Sequence, residues 1–415
     1  VHAMTFSQIA DKVIERYLPR KIPGARARSD SRFQVNDQEI ARQLGFHAVG
    51  TLSPASVANA ARRTVMSFCG TAAGAIQEDH LPALSDRLSP ACKALLMSAA
   101  SVLWKQTIEP SSPDIALPLR AYHKIKHWSL SDIPLPPTYA HVIVDEAHEI
   151  SSSLMLILDR SPQAVITLGD RFQRLNGMAP TRRKDIREKE INMTVRAGRQ
   201  IEEVLNPLIL KHPGKVHEPL IGTSHKRTHI RYYDRPSIPE YPTTILTGTD
   251  WTLFEWFQRL SYERAKFAIL PGSLYSFRGL IEGCLDLFRL GKRSNHPFLF
   301  RYPTWDSLAN AQSSNQAFVR IQRMLEKGYS PEDFENSFSA MVTPDKARII
   351  LGKVQDSKNM EFDSVLLAPE LLTNLDSAST PWAQATKLSQ IYTGGSRARF
   401  ELVVPGYLKD WLEDQ

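Results

Sequence analysis

Apolar residues recur at three- and four-residue spacing through Ile9–Tyr17, Pro54–Phe68 and Pro90–Trp104, the period of one helical face, so the N-terminal third is predicted to be mainly helical. A basic loop with Gly and Pro, Arg20 to Arg32, interrupts it. Val1 reads as lying inside a strand that runs into "TFSQIA" (5–10). From His141 the pattern changes. "HVIV" (141–144) is a short apolar run ending in acidic residues, Leu154–Leu158 falls in a helix, and "AVITL" (164–168) is a second apolar run ending in Gly169-Asp170. Strand, helix and strand within about 30 residues predict a βαβ unit with parallel strands and a right-handed crossover. Both acidic ends then lie at the carboxyl ends of neighbouring strands, where open α/β sheets bind ligands.

A second alternation follows: "TTILTG" (243–248), a helical Trp251–Leu260, "FAIL" (267–270), a helical Ser276–Leu290, "SVLLA" (364–368) and "ELVV" (401–404). Residues 291–340 are polar, in helical and loop patterns without sheet signal. The predicted fold class is α/β, with two parallel-sheet lobes each carrying a helical insertion. The first lobe takes residues 1–20 and 135–180 with an insertion at 21–134; the second takes 181–290 and 341–415 with a small insertion at 291–340. A polar linker around Thr181–Glu190 is the expected boundary.

Length and composition narrow the picture. At 415 residues the chain exceeds a domain of about 150 residues and predicts two to four domains. With 42% hydrophobic and 23% charged residues it is neither disordered nor low in complexity. The net charge of +7, from 51 Lys and Arg against 44 Asp and Glu, permits a nucleic-acid partner without requiring one. Cys69, Cys92 and Cys284 are odd in number and far apart, so reduced, buried thiols are expected, with neither a disulfide framework nor structural zinc. No apolar run reaches 18 residues and the start lacks a secretion-signal pattern, which makes a cytosolic location the default expectation.

The strongest chemical signal is "VIVDEAHE", Val142 to Glu149. An apolar strand ending in Asp145-Glu146 places one carboxylate to hold Mg²⁺ on a nucleotide's phosphates and a second to orient and deprotonate the attacking water. Alone, an Asp-Glu pair is also what a surface acidic turn looks like, and a metal-dependent nuclease would need a further carboxylate/Lys cluster that is not visible. Asp-Glu-Ala-His is the literal box of superfamily 2 helicases, whereas "TLGDRFQRLNG" (167–177) carries Gly-Asp-x-x-Gln where a Ser-Ala-Thr element would be expected.

Taken in order, these motifs resemble those of superfamily 1A, UvrD/Rep-type DNA helicases, closest to the F-box DNA helicase-like branch. "INMTVRAGRQIEEVL" (191–205) is similar to the family segment containing a γ-phosphate arginine, which makes Arg196 that residue. "VQDSKNMEFDSVLL" (354–367) resembles motif V, with Lys358, Glu361 and Asp363 retained, and "IYTGGSRARFELVV" (391–404) resembles motif VI, with Arg397 as the second arginine. "AMTFSQIADKVI" (3–14) resembles the segment that touches DNA. "AYHKIKHW" (121–128) and "AILPGSLYSFRGLIEGCLDLF" (268–288) fit the same branch, and no F-box is visible.

The resemblance implies two RecA-like lobes of the P-loop NTPase fold, the first incomplete, and ATP-dependent 3′ to 5′ translocation on single-stranded or partly duplex DNA. ATP and Mg²⁺ are the implied cofactors, with Asp145 holding the metal. Asp145, Glu146, Gln173, Arg196 and Arg397 are the implied catalytic residues, with Glu361 added for nucleotide binding. Thr5, Phe6, Gln355 and Lys358 are implied DNA contacts, and Phe6, Trp128 and Tyr392 are candidates for base stacking. The location implied is cytoplasmic and nucleoid-associated in a bacterium, or nuclear in a eukaryote.

Departures from the family pattern are specific. No G-x-x-x-x-G-K-[ST] occurs, so the phosphate cradle is missing from these residues. Two expectations follow: a copy truncated by about one βα unit at its N-terminus, or a natural ATPase-deficient relative acting as a DNA-binding or scaffold protein. On either, these residues alone are expected to hydrolyse ATP poorly. Gln355 replaces a His and Asn359 a Gly in motif V, Val195 replaces an aromatic, Gly395 and Ser396 precede Arg397 where a variable residue and Thr are usual, and "RLNGMA" lacks the aromatic that follows motif III.

Overall fold

The computed structural model describes residues 3–18, 22–85, 88–175, 187, 189–214, 218–373 and 380–413. They divide into two units. One comprises the described residues up to Gly169 together with Phe300–Pro303; the other comprises the rest.

The first unit begins with α1 (Phe6–Arg16), and the three residues before it form no strand, contrary to the expectation for this segment. Thr5 explains the difference: its hydroxyl accepts the Gln8 amide at 3.2 Å while Gln8 Oε1 accepts the Thr5 amide at 2.8 Å, a capping box that starts the helix there. Then come α2 (Ala25–Arg28), α3 (Asp37–Leu44), α4 (Pro54–Gly70), α5 (Pro90–Ile108) and α6 (Ala121–Ser129). Ser53 and Ser89 cap α4 and α5, each followed by a proline whose fixed φ suits the first turn. Ile40, Val57, Val65, Phe68, Leu96 and Leu103 form the core of this helical part, and Phe300 inserts into it.

Strand β1 (His141–Val144), helix α7 (Ser152–Arg160) and strand β2 (Ala164–Thr167) follow as predicted, with the strands parallel and His141 opposite Ala164. Ile9, Val13, Trp128, Leu154 and Leu158 from α1, α6 and α7 cover one face of this pair, together with Val144. Burial of each such side chain stabilises by about 1.5–3 kcal/mol. The other face bears Ile143, Ile166 and Leu168, all exposed.

In the second unit β3 (Met193–Gly198) pairs in parallel with β4 (Ile221–Thr223), with α8 (Glu202–Lys211) between them in sequence. The main sheet is six-stranded and all-parallel. It is built from β5 (His229–Tyr233), β6 (Thr243–Thr247), β7 (Phe267–Ile269), β8 (Ile349–Lys353), β9 (Phe362–Leu367) and β10 (Ala398–Pro405), in the order β5-β10-β9-β6-β8-β7. Thr243–Thr247 is buried throughout, as a central parallel strand with both faces covered must be. Helices α9 (Asp250–Tyr262) and α10 (Pro271–Leu290) flank the sheet, and α11 (Trp305–Ala311), α12 (Gln316–Glu326) and α13 (Pro331–Asn336) lie in the polar stretch predicted to hold helix and loop without strand. Phe254, Phe257, Phe277, Phe334 and Phe338 interlock, joining α13 and the turn after it to α9 and α10. Helices α14 (Pro381–Gly395) and α15 (Gly406–Glu413) complete the unit. Most of the expected linker, Thr181–Glu190, lies outside the described residues.

Candidate functional site

In the first unit, backbone pairing extends past the strands: Leu168 N–H donates to Val144 O at 2.8 Å and Ala147 N–H to Leu168 O at 2.7 Å. This brings the acidic turn against Gly169. A Cβ on Gly169 would lie 2.9 Å from His148 N, 3.0 Å from Ala147 N and 3.1 Å from His148 Nδ1, so only glycine allows the approach. Asp145 is exposed at the strand end and accepts the Glu146 amide at 2.9 Å. Glu146 turns the chain in the left-handed region, with φ 51°, a conformation most residues avoid and one that functional turns often retain. His148 is buried, its Nδ1 3.4 Å from Glu146 Oε2 and its Nε2 3.7 Å from Glu149 Oε1. The two carboxylates thus stand on a hydrogen-bonded turn with a buried imidazole behind them.

Among the described residues no group of three or more His, Cys, Asp or Glu could hold a metal ion. Mg²⁺ does not need one, because it binds through one or two carboxylates plus substrate phosphates and waters. Asp145, exposed at the strand end, offers one such carboxylate, and among the described residues no closed protein cage is built.

Thr5 and Phe6, implied as DNA contacts, occupy structural positions. Thr5 is the cap of α1, and Phe6 is half-buried against the core under the sheet. Trp128 is fully buried with its indole N–H on Ile133 O at 2.9 Å, and Tyr392 in the second unit is 7% exposed, so neither presents a face to a base. Those two stacking assignments are withdrawn.

The second unit brings together residues from four motifs that are far apart in sequence. Arg397 directly precedes β10, is 2% exposed, and donates through Nη2 to Gln173 Oε1 and Ser396 Oγ, each at 2.9 Å, and through Nε to Thr393 O at 3.1 Å. Gln173 Nε2 donates to Asp170 Oδ2 at 2.9 Å, which leaves its carbonyl oxygen toward the guanidinium. Asp170 also accepts the Tyr392 hydroxyl at 2.9 Å and the Phe172 amide at 3.0 Å. Burial, reinforced by the Asp170 charge, pushes the Tyr392 phenol far above its usual range and keeps it a donor. Arg196, on β3, lies 2.8 Å from Glu361 Oε1 and donates to Ser396 O at 3.0 Å. The Arg196 guanidinium holds the Glu361 carboxyl below its usual value. Glu361 and Arg397 are neighbours at the amino ends of β9 and β10, where Phe362 N–H donates to Arg397 O at 3.0 Å.

The sequence points to Gln173, Arg196, Glu361 and Arg397 and sets Asp170 at a ligand-binding strand end, but gives no role to Asp170, the group that links Gln173 to Tyr392. The aspartate of Gly-Asp-x-x-Gln, in capping position before a short 3-10 turn, was the available signal. Ser396 thus accepts from Arg397 through its hydroxyl and from Arg196 through its carbonyl. Asn359 has φ 62°, and asparagine is one of the few residues that tolerate that conformation. Gln355 is exposed and Lys358 half-buried on the same β8–β9 connection.

All three cysteines are free. Cys69 and Cys284 are buried as expected, Cys92 only partly, and burial pushes the Cys69 thiol up to about 12. No described helix is long and apolar enough to cross a membrane. No protein-family model matches the chain, and no curated protein matches it.

Proposed function

We propose that this chain is a superfamily 1-type, helicase-like protein whose second unit is a RecA-like lobe and whose ligands are a nucleoside triphosphate with Mg²⁺ and single-stranded DNA. What supports the reading best is the cluster of Asp170, Gln173, Arg196, Glu361 and Arg397: four motifs read separately in the sequence meet in one linked network. In this reading Gln173 and the two arginines bind phosphate oxygens, Glu361 steers Arg196, Asp145 carries the metal and Glu146 orients water. Bound Mg²⁺ would neutralise phosphate charge and polarise the transferring group. Lys358 and the basic surplus serve the DNA backbone.

A second reading, an ATPase-deficient DNA-binding or scaffold relative, draws on the state of Arg397. Its guanidinium is buried and committed to Gln173, Ser396 and the Thr393 carbonyl, so contact with a phosphate requires those bonds to exchange. One experiment separates the readings. Anisotropy of a fluorescent single-stranded oligonucleotide is measured with and without ATP and Mg²⁺, alongside phosphate release. Both readings expect salt-dependent DNA binding weakened by Lys358→Ala. Only the motor reading expects ATP to change the DNA affinity and Arg196→Ala to abolish that change. Absence of DNA binding at low salt refutes both.

A further inference from the structure

The amino edge of the six-stranded sheet carries a second feature, away from the Arg397 cluster and at the β6–β8–β7 end. An open cavity of about 660 Å³ is lined by Pro236, Ile238, Arg259, Glu263, Arg264, Lys266 and Arg348, among others. That volume falls within the range of small-molecule sites, roughly 300–1,000 Å³. Four cationic side chains face one carboxylate, Glu263.

Their placement follows from the sheet. Lys266 directly precedes β7 and Arg348 directly precedes β8, and Phe267 is the register partner of Ile349. The two cations are therefore side by side, with Arg348 N–H donating to Lys266 O at 2.9 Å. Like charges in this relation repel. Among the described residues neither makes an ion pair, and Arg264 makes none either. Arg259 stiffens the wall: its guanidinium lies over the Trp256 ring at 4.9 Å and donates to Pro236 O at 2.7 Å.

Arg264 adds an independent observation. It follows α9 in the left-handed conformation, φ 51°, where Ala265 N–H closes the helix end on Leu260 O at 3.0 Å. Glycine is the residue that fits this position, and arginine holds it at a cost in stability. A strained cation beside two unpaired, adjacent cations is the arrangement expected where an anion supplies the missing charge.

We infer that this cavity is a binding site for a compact, multiply charged phosphate ligand, held by Lys266, Arg348 and Arg264, with Arg259 fixing the wall. The site is separate from the Arg397 cluster and does not depend on the helicase-like reading. Its ligand chemistry has two sources, a free phosphorylated small molecule or consecutive phosphates of a nucleic-acid backbone.

Calorimetric titration of the full chain with pyrophosphate tests it. We expect saturable binding at one equivalent that weakens at least tenfold in the Lys266→Ser, Arg348→Ser double variant, whose side chains are exposed. Arg264→Gly is expected to weaken binding at least threefold while the melting temperature stays equal or rises, a combination a merely structural arginine would not give. Unchanged pyrophosphate affinity in the double variant, or an Arg264→Gly protein that melts lower, overturns the proposal. A short single-stranded oligonucleotide that competes with pyrophosphate assigns the backbone as source; one that does not compete assigns the free small molecule.

Discussion

Glu370 offers a direct test of how burial sets charge in the second unit. It follows β9, where Oε1 accepts the Gly248 amide at 2.9 Å, next to the first turn of α9. Burial pushes its carboxyl from 4.5 up to about 7, with the nearby Glu255 charge acting in the same direction and the Gly248 amide and Thr252 hydroxyl opposing it. The sign follows from proton counting. Below pH 4.5 both folded and unfolded chains hold the proton, and the group is neutral to stability. Between 4.5 and about 7 the unfolded chain releases the proton while the folded one keeps it, so stability falls as pH rises. Above that window both are ionised and the whole cost remains. At about 1.4 kcal/mol per tenfold change in proton affinity, that cost is roughly 3–4 kcal/mol. Glu370→Gln keeps the shape and the acceptor for Gly248 but cannot ionise. The variant is expected to match the wild type near pH 4 and to exceed it by about 3–4 kcal/mol at pH 8.5. Urea denaturation followed by tryptophan fluorescence reads this, with Trp251 and Trp256 buried in α9 contributing to the signal. A difference between the two proteins that is the same near pH 4 and at pH 8.5 would refute the reasoning.

Gly169→Ala should destabilise the first unit by about 1–3 kcal/mol, because the new methyl meets two backbone nitrogens at 3.0 Å or less. Hydrogen exchange at Ala147 and His148 checks it, and unchanged protection would show that the turn yields freely. Asn359→Ala should lower stability by about 1 kcal/mol while Asn359→Gly stays near neutral, as measured by thermal melting, since only the conformation at φ 62° is at stake.

Much of the framework was legible along the chain. The three- and four-residue period located α1, α4, α5, α9 and α10 within a few residues, and the apolar runs located β1, β2, β6, β7, β9 and β10. Short or weakly apolar strands were not legible. β5 and the first four residues of β3 are exposed or half-buried, and β8 is a five-residue run that only its neighbours β6 and β7 turn into a buried strand. The opening segment misled because its capping pair, Thr5 and Gln8, specifies a helix start more strongly than its apolar residues specify a strand.

The candidate site divides the same way. Sequence alone determined which residue types are present, their order and their spacing, and Asp145, Glu146, Gln173, Arg196, Glu361 and Arg397 stand out on those grounds. Only the tertiary structure decided their company. Parallel strands bring Glu361 and Arg397 to adjacent amino ends, and the same rule sets Lys266 beside Arg348. Burial likewise separated the aromatics, since whether a Trp or Tyr faces solvent depends on what packs over it and not on its neighbours in the chain. Local periodicity is a property of the backbone, whereas proximity and desolvation arise only when distant segments close on one another.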